Sequence, residues 1–520
     1  MTEIDRRAFI TSSAGLALAL AWPAGALAAG DDTLKIAIGA ESGNLDLLQN
    51  VSSLSSYTIV FESLIGYGKG GVLEPALAES WTVAPDQLSI TFNLRKGVTF
   101  TDGTPFDATS AEWNLKRWLG KGDFSWIGLS DAFDSIAIDD PHKLTLKLKR
   151  PVPAGPLELT IVRPVRFLSP KAVDDKGALL AAIGTGPWKV VRNDSAGTLL
   201  ERNDAYWGPK PAMSKLELKV VPDELARANG LRSGDLDVIG GDWVAPLSPR
   251  RARALEKDGV GVVSEPGTAT MLLGFSPKSP VMADRAVRDA IHVGIDRAAI
   301  ASILFEGLAD PIADLFPANI PQSGTRHAVP ARDVAAAKKL LQAGGWAESG
   351  GGWSKGGTPL DLDFLVSEES LPGSRRIAEM IQGQLTEIGF KVKVSTVDNA
   401  TMHERRPAFK YDLTFFTTYG APYDPHGSLG NSFVTAVDSG PDGKIFISDA
   451  LDPLVLGALK ASGDERVAKM QALYDWLDQT RAICPLVVVK RIWAHSARTK
   501  NFSLPATDYD LPFAGVTLAG

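Results

Sequence analysis

Polar and apolar residues alternate in Ser89-Ile90-Thr91-Phe92-Asn93-Leu94, the period of a strand with one buried face. Pro85-Asp86-Gln87 is turn chemistry leading into it. Val98-Thr99-Phe100 reads as a second short strand, closed by Asp102-Gly103, a pair that tolerates positive φ. Thr109 then has the chemistry of a helix N-cap, with Glu112 three residues on as its capping-box partner. Ala111, Leu115, Trp118 and Leu119 share one face of the helix that follows.

The same patterning extends along the chain. Residues 34–39, 133–139, 143–148, 216–221 and 271–275 read as strands. Residues 56–65 read as a helix ending before Gly66, residues 226–237 as a helix, Gly234 and a strand, and residues 284–305 as one long helix. A helix over 334–343 stops at Gly344-Gly345, and residues 350–357 form a glycine-rich loop. Strand 360–366, helix 375–388 and strand 390–394 have the spacing of a βαβ unit, and 467–481 is the last clear helix. Mixed elements without repeats place the chain in the α/β class.

At 520 residues there is room for two to four domains. Apolar content of 44% and charged content of 22% are those of an ordinary globular protein. The formal charge of -7, with no basic run, speaks against nucleic-acid binding. The single cysteine, Cys484, excludes an internal disulfide and lies in an apolar run as a small buried hydrophobe. Asp5-Arg6-Arg7-Ala8-Phe9-Ile10 precedes an apolar run over 14–22, too short to span a bilayer, and Ala26-Leu27-Ala28 is a small-x-small cleavage site. The paired arginines resemble a twin-arginine export signal, with a Sec signal as the alternative; either route exports the protein. No cysteine follows the cleavage site to carry a lipid, so the expectation is a protein free in a periplasm.

Catalytic inventories are not met. The six histidines are scattered with no H-E-x-x-H, and there is no G-x-S-x-G elbow and no Walker A loop. Residues 66–71 satisfy G-x-G-x-x-G by letter, but a predicted helix precedes them and none begins in them, so they read as a connection. The expectation is a protein that is not an enzyme; a hydrolase or chaperone on a binding-protein fold is the remote alternative.

The stretch from Leu77 to Trp118 carries W, D and then F-x-L-R-x-G-V-x-F-x-D-G-x-P-F-D-A followed by N. That order resembles the signature of the family 5 bacterial extracellular solute-binding proteins, the peptide- and nickel-binding receptors of ABC importers. Gly184-Thr185-Gly186-Pro187-Trp188, Arg202-Asn203 with Tyr206-Trp207, and Val287-Arg288 with Ala290-Ile291 resemble further blocks of the family. The resemblance implies a two-lobed periplasmic binding protein of the cluster C, type II-like kind, with its ligand cleft between the lobes. On that basis residues 1–28 are an export signal and 29–272 with 496–520 form lobe I. An inserted subdomain covers about 72–182, and 273–495 form lobe II. Crossovers are expected near 272–276 and 492–497.

Two segments resemble the nickel-chelate branch of this family. Thr418-Tyr419-Gly420-Ala421-Pro422-Tyr423-Asp424-Pro425-His426 is similar to its T-W-G-A-P-Y-D-P-H, whose aromatics pack on the bound chelate. Tyr419 takes the tryptophan's place and Tyr423 matches. Arg163-Pro164-Val165-Arg166-Phe167 is similar to R-P-F-R-F, whose first arginine grips ligand carboxylates, and Trp126 matches a tryptophan lining the site. The residues alone also fit core aromatics and a structural ion pair, the latter more at Arg166 than at Arg163. Two positions depart from the branch. Residues 431–438 hold no histidine where its metal ligand lies, and Asp123 replaces its second arginine. The expected ligand is therefore a small carboxylate-bearing solute, a metal chelate or metallophore of nickel type. An oligopeptide or dipeptide is the alternative. The expected site is Arg163, Trp126, Tyr419 and Tyr423, with no cofactor, metal entering only within a bound chelate, and His426 structural. The expected partners are the ligand and the permease subunits of an ABC importer at the inner membrane, the protein itself being a monomer.

Overall fold

The computed structural model describes residues 32–49, 54–241, 244–324, 327–437 and 443–519. The export segment lies outside the described residues. A seven-stranded sheet runs in the order 261–265, 491–495, 238–240, 33–38, 215–220, 197–202, 188–194. Strand Thr33–Ile38 pairs in parallel with Lys215–Val220 and with Val238–Gly240, and the remaining pairings are antiparallel. Leu34, Ile36, Trp188, Leu216, Leu218 and Trp493 join in one core against it.

A six-stranded sheet runs 309–311, 483–489, 270–275, 413–417, 361–366, 391–396. Every residue of strand Thr270–Phe275 is buried. Met271, Leu273 and Phe275 enter one core and Leu272 another, which is why this strand is an unbroken apolar run rather than an alternating one. Strand Asp361–Val366, helix Ser374–Thr386 and strand Lys391–Thr396 form the expected βαβ unit with parallel pairing.

A four-stranded antiparallel sheet, in the order 78–83, 89–94, 143–148, 133–140, has its own core. Ile90, Phe92 and Leu94 of one strand and Leu144, Leu146 and Leu148 of its neighbour are buried there, as their alternation requires. Ala111, Leu115, Trp118 and Leu119 cover that face.

Four local expectations are corrected. The helix Ala108–Lys116 is capped by Asp107, whose carboxylate takes the N–H of Ser110 at 2.9 Å, while the Ser110 hydroxyl takes the N–H of Asp107 at 2.9 Å. Glu112, one turn in, pairs with Lys116 at 2.6 Å instead. Residues 98–100 contribute one bridge, Thr99 with Pro105, around a turn in which Gly103 has φ +82°. The helix expected over 56–65 is Ser55–Val60, followed by a hairpin of Ile65–Tyr67 with Leu73–Pro75. Residues 285–305 break after Gly294, because Ile295 is extended and Asp296 caps a new turn by accepting the N–H of Ala299 at 2.8 Å.

The chain leaves the seven-stranded sheet after Glu265 and enters the six-stranded one at Thr270, then returns between Val489 and Arg491. Each change of sheet falls a few residues before the expected crossover. Glu265 and Arg491, at the two passages, pair at 2.9 Å. Lys69 of the hairpin region adds a second contact to Glu265 at 2.8 Å.

Candidate functional site

The loop over 418–428 follows strand Leu413–Thr417 of the six-stranded sheet. Its shape is set by buried Asp424. The carboxylate accepts the N–H of Gly420 at 2.6 Å and of Ser428 at 3.2 Å, closing the loop on itself. Burial pushes this carboxyl up to about 6, opposed by the Ser428 hydroxyl and those amides. Thr418 Oγ1 accepts the N–H of Thr270 and Thr268 Oγ1 accepts that of Ala421, each at 3.0 Å, so the loop is pinned to the first passage between the sheets. The peptide bonds before Pro422 and Pro425 are cis, as is the one between Arg163 and Pro164.

Half-buried Tyr419 accepts a hydrogen bond on its hydroxyl from Asn431 Nδ2 at 2.6 Å. Asn431 thus occupies the region where the related branch has its histidine. Half-buried Tyr423 packs on the core of the four-stranded subdomain and meets the Tyr509 ring edge-on, with centroids 5.0 Å apart. Its hydroxyl lies beside the Val162 amide and faces Arg163. Burial pushes that hydroxyl up to about 12, with Arg163 pulling the other way.

Arg163 is half-buried, and among the described residues no carboxylate or hydrogen-bond acceptor pairs with it. Burial lowers its pKa, and the polar groups acting on it are the hydroxyls of Tyr423 and Tyr57. A guanidinium partly withdrawn from water without an anion is an incomplete electrostatic arrangement. Arg166 is different. It donates to the Phe61 carbonyl at 3.1 Å, and Asp510 and Glu62 attract it at longer range. Glu62 in turn accepts from Trp207 Nε1 at 2.8 Å and from the Tyr206 hydroxyl at 2.9 Å, so Arg166 belongs to a structural network.

The structure therefore brings Arg163 and Tyr423 together and links Tyr419 to them through Tyr509. Trp126 stands apart: it is 51% exposed and shares no ring contact or hydrogen bond with the other three. Its turn is held from behind by Glu158, whose buried carboxylate accepts the N–H groups of Gly128 at 3.0 Å and Leu129 at 2.8 Å. Burial pushes this carboxyl up to about 7, against those two hydrogen bonds.

Tyr57, Tyr509 and Asn431 were not singled out in the sequence. Tyr509 lies in an irregular C-terminal segment with no periodicity, and only its place between two acidic residues, Asp508 and Asp510, could have marked it. His426 is occupied: its Nε2 accepts from Arg466 Nη1 at 2.7 Å, and burial together with that arginine keeps the ring neutral. Among the described residues, no group of three or more His, Cys, Asp or Glu side chains could hold a metal ion. Nor is any helix among them long and apolar enough to cross a membrane.

The description of bacterial extracellular solute-binding proteins, family 5 Middle, matches residues 72–440. The chain belongs to the family 5 bacterial extracellular solute-binding proteins. A nickel-binding periplasmic protein of Escherichia coli K12 is 29% identical over 439 residues, 82% of each chain. An ABC transporter substrate-binding protein from Sinorhizobium meliloti has a crystal structure that superposes with a TM-score of 0.83 at 42% identity, covering 94% of this chain and 100% of that one. The crystal structure of NikA from Brucella suis in complex with Fe(III)-EDTA superposes at 0.86 with 28% identity, again over 94% and 100%. The α/β body with two sheets crossed twice by the chain is thus the two-lobed fold of this family, and the class of function is solute binding for an ABC importer.

Proposed function

We propose that this protein captures a small carboxylate-bearing solute, a metal chelate or metallophore, between its two lobes and delivers it to the permease of an ABC importer from the periplasm. The observation that carries this reading is Arg163, a half-buried guanidinium beside the Tyr423 hydroxyl with no anionic partner among the described residues. A ligand carboxylate would complete it through a bidentate, charge-assisted contact. Tyr419 and Tyr423 would take the apolar faces of the ligand, with Trp126 folding in from the rim. Among the described residues of the region where the branch has its histidine, 431–437, there is no histidine, and Asn431 donates to the Tyr419 hydroxyl. Metal coordination is then completed within the ligand, and the protein needs no cofactor and catalyses no reaction.

Calorimetry on metal-free protein tests this. Fe(III)-EDTA, or nickel presented with excess free histidine, should bind with one site per chain, and bare nickel ion should give no tight binding. Tight binding of the bare ion would overturn the reading. Tight binding of dipeptides with none of either chelate would move the assignment to peptides.

A further inference from the structure

Away from the segments that carry Arg163 and the tyrosines, a concavity of about 610 Å³ opens where the two lobes meet. One wall is the start of helix Pro249–Lys257, beside the seven-stranded sheet. The other is Leu304-Phe305 together with the start of helix Ser374–Thr386, beside the six-stranded sheet. The walls touch nearby, where the Arg253 guanidinium donates to the Glu306 carbonyl at 3.3 Å.

Arg250, Arg251 and Arg376 line this space. Among the described residues none of their three guanidinium groups makes a hydrogen bond or ion pair, although the chain carries a net charge of -7. The one carboxylate in the lining, Glu224, is already engaged, accepting the N–H of Ser248 at 2.6 Å. Both helices lack an acidic residue in the first turn and carry arginines there instead, the reverse of what the helix dipole favours. Glu368 already takes the amides of Gly373 at 2.9 Å and Arg375 at 2.6 Å, so the amides at that helix start are engaged and the guanidinium groups are the free donors. Phe305, Ile377 and Ala254 give the floor an apolar character.

We infer that this groove is a second ligand site, for a small oxyanion bearing two or more negative charges. Guanidinium forks match phosphate and carboxylate oxygens alike, and three cations lining one groove spare a polyanion the cost that a neutral groove would impose. Because the walls come from different lobes, an occupant would bridge them and couple to lobe closure, with reciprocal effects on affinity at the cleft.

The test is calorimetry of the full chain with pyrophosphate in one arm and citrate in another, ionic strength held constant with sodium chloride. Saturable binding of either, at one site per chain, is expected. The arm that binds distinguishes phosphate from carboxylate chemistry. Arg250→Ser and Arg376→Ser should each weaken it about tenfold, the scale of one lost charge-assisted hydrogen bond. Both arginines are exposed, so circular dichroism should be unchanged. Binding should persist in Arg163→Ala. No saturable heat with either anion, unchanged affinity in the double variant Arg250→Ser with Arg376→Ser, or loss of binding in Arg163→Ala would each overturn the assignment.

Discussion

The hydroxyl of Tyr509 donates to the main-chain carbonyl of Tyr419 across 3.3 Å, joining the C-terminal segment of one lobe to the site loop of the other. The same Tyr509 ring meets Tyr423 edge-on, so a single side chain touches both aromatic positions of the loop. Tyr509→Phe keeps the ring contact and loses a hydrogen bond whose net worth is about 0.5–1.5 kcal/mol. Tyr509→Ala loses the ring contact as well, an aromatic pair adding about 0.5–1.5 kcal/mol beyond burial. Affinity for Fe(III)-EDTA measured by calorimetry should therefore fall in the order wild type, Phe, Ala. Equal affinity in all three would show that the tyrosine does not position the loop.

Arg163→Ala should weaken chelate binding by about thirtyfold or more, since truncating one partner of a buried charged pair costs roughly 2–5 kcal/mol. Arg163→Lys should recover only part, because an ammonium cannot present two parallel donors. An alanine variant that binds as well as wild type would return Arg163 to a packing role.

The buried carboxyl of Glu158 is pushed up to about 7 from an ordinary 4.5, so the folded chain holds a proton there that the unfolded chain releases. The sign follows from linkage: this group favours folding below its unfolded value, and that contribution is lost as pH rises towards 7. Asp424, pushed up to about 6, acts in the same direction. Urea unfolding at pH 5 and pH 8 should show wild type losing more stability across the interval than Glu158→Gln, which cannot ionise. Parallel losses in the two proteins would remove Glu158 as the source.

Replacing Arg6 and Arg7 together by lysine should strand the precursor in the cytoplasm if export follows the twin-arginine route. Cell fractionation reads the outcome, and normal periplasmic yield would assign the Sec route instead.

The strands with one face in water were legible from their alternation, because a register slip there would expose Ile90 or Leu146. The βαβ unit was legible because glycine ends its helix and the flanking runs are apolar. Caps were less so. Thr109 and Glu112 have the right letters, but Asp107 and Ser110 sit two residues earlier and make the reciprocal bonds. Asp107→Ala should cost about 1 kcal/mol and Thr109→Ala far less, which chemical denaturation can resolve. The break at residue 295 escaped periodicity because apolar spacing continues through it while Asp296 starts a new turn. At the site, Arg163 and Tyr423 were legible by resemblance, and the structure gives them a shared environment. Tyr509 was not, since its role arises from folding a tail back onto a loop 90 residues away in sequence.

Both described ends of the chain belong to the same lobe. Strand Thr33–Ile38 lies inside the seven-stranded sheet, and Val516 is buried in the core beside it. The other lobe is thus one uninterrupted insert that leaves and rejoins its host beside the paired Glu265 and Arg491. That topology suits the protein to sensor construction. A reporter domain inserted between Gly350 and Gly351, a hairpin tip where both residues have positive φ and open space around them, would sit on the insert, with its mate fused to the C-terminal end on the host. Energy transfer between the two would then follow the hinge angle without a label near the cleft.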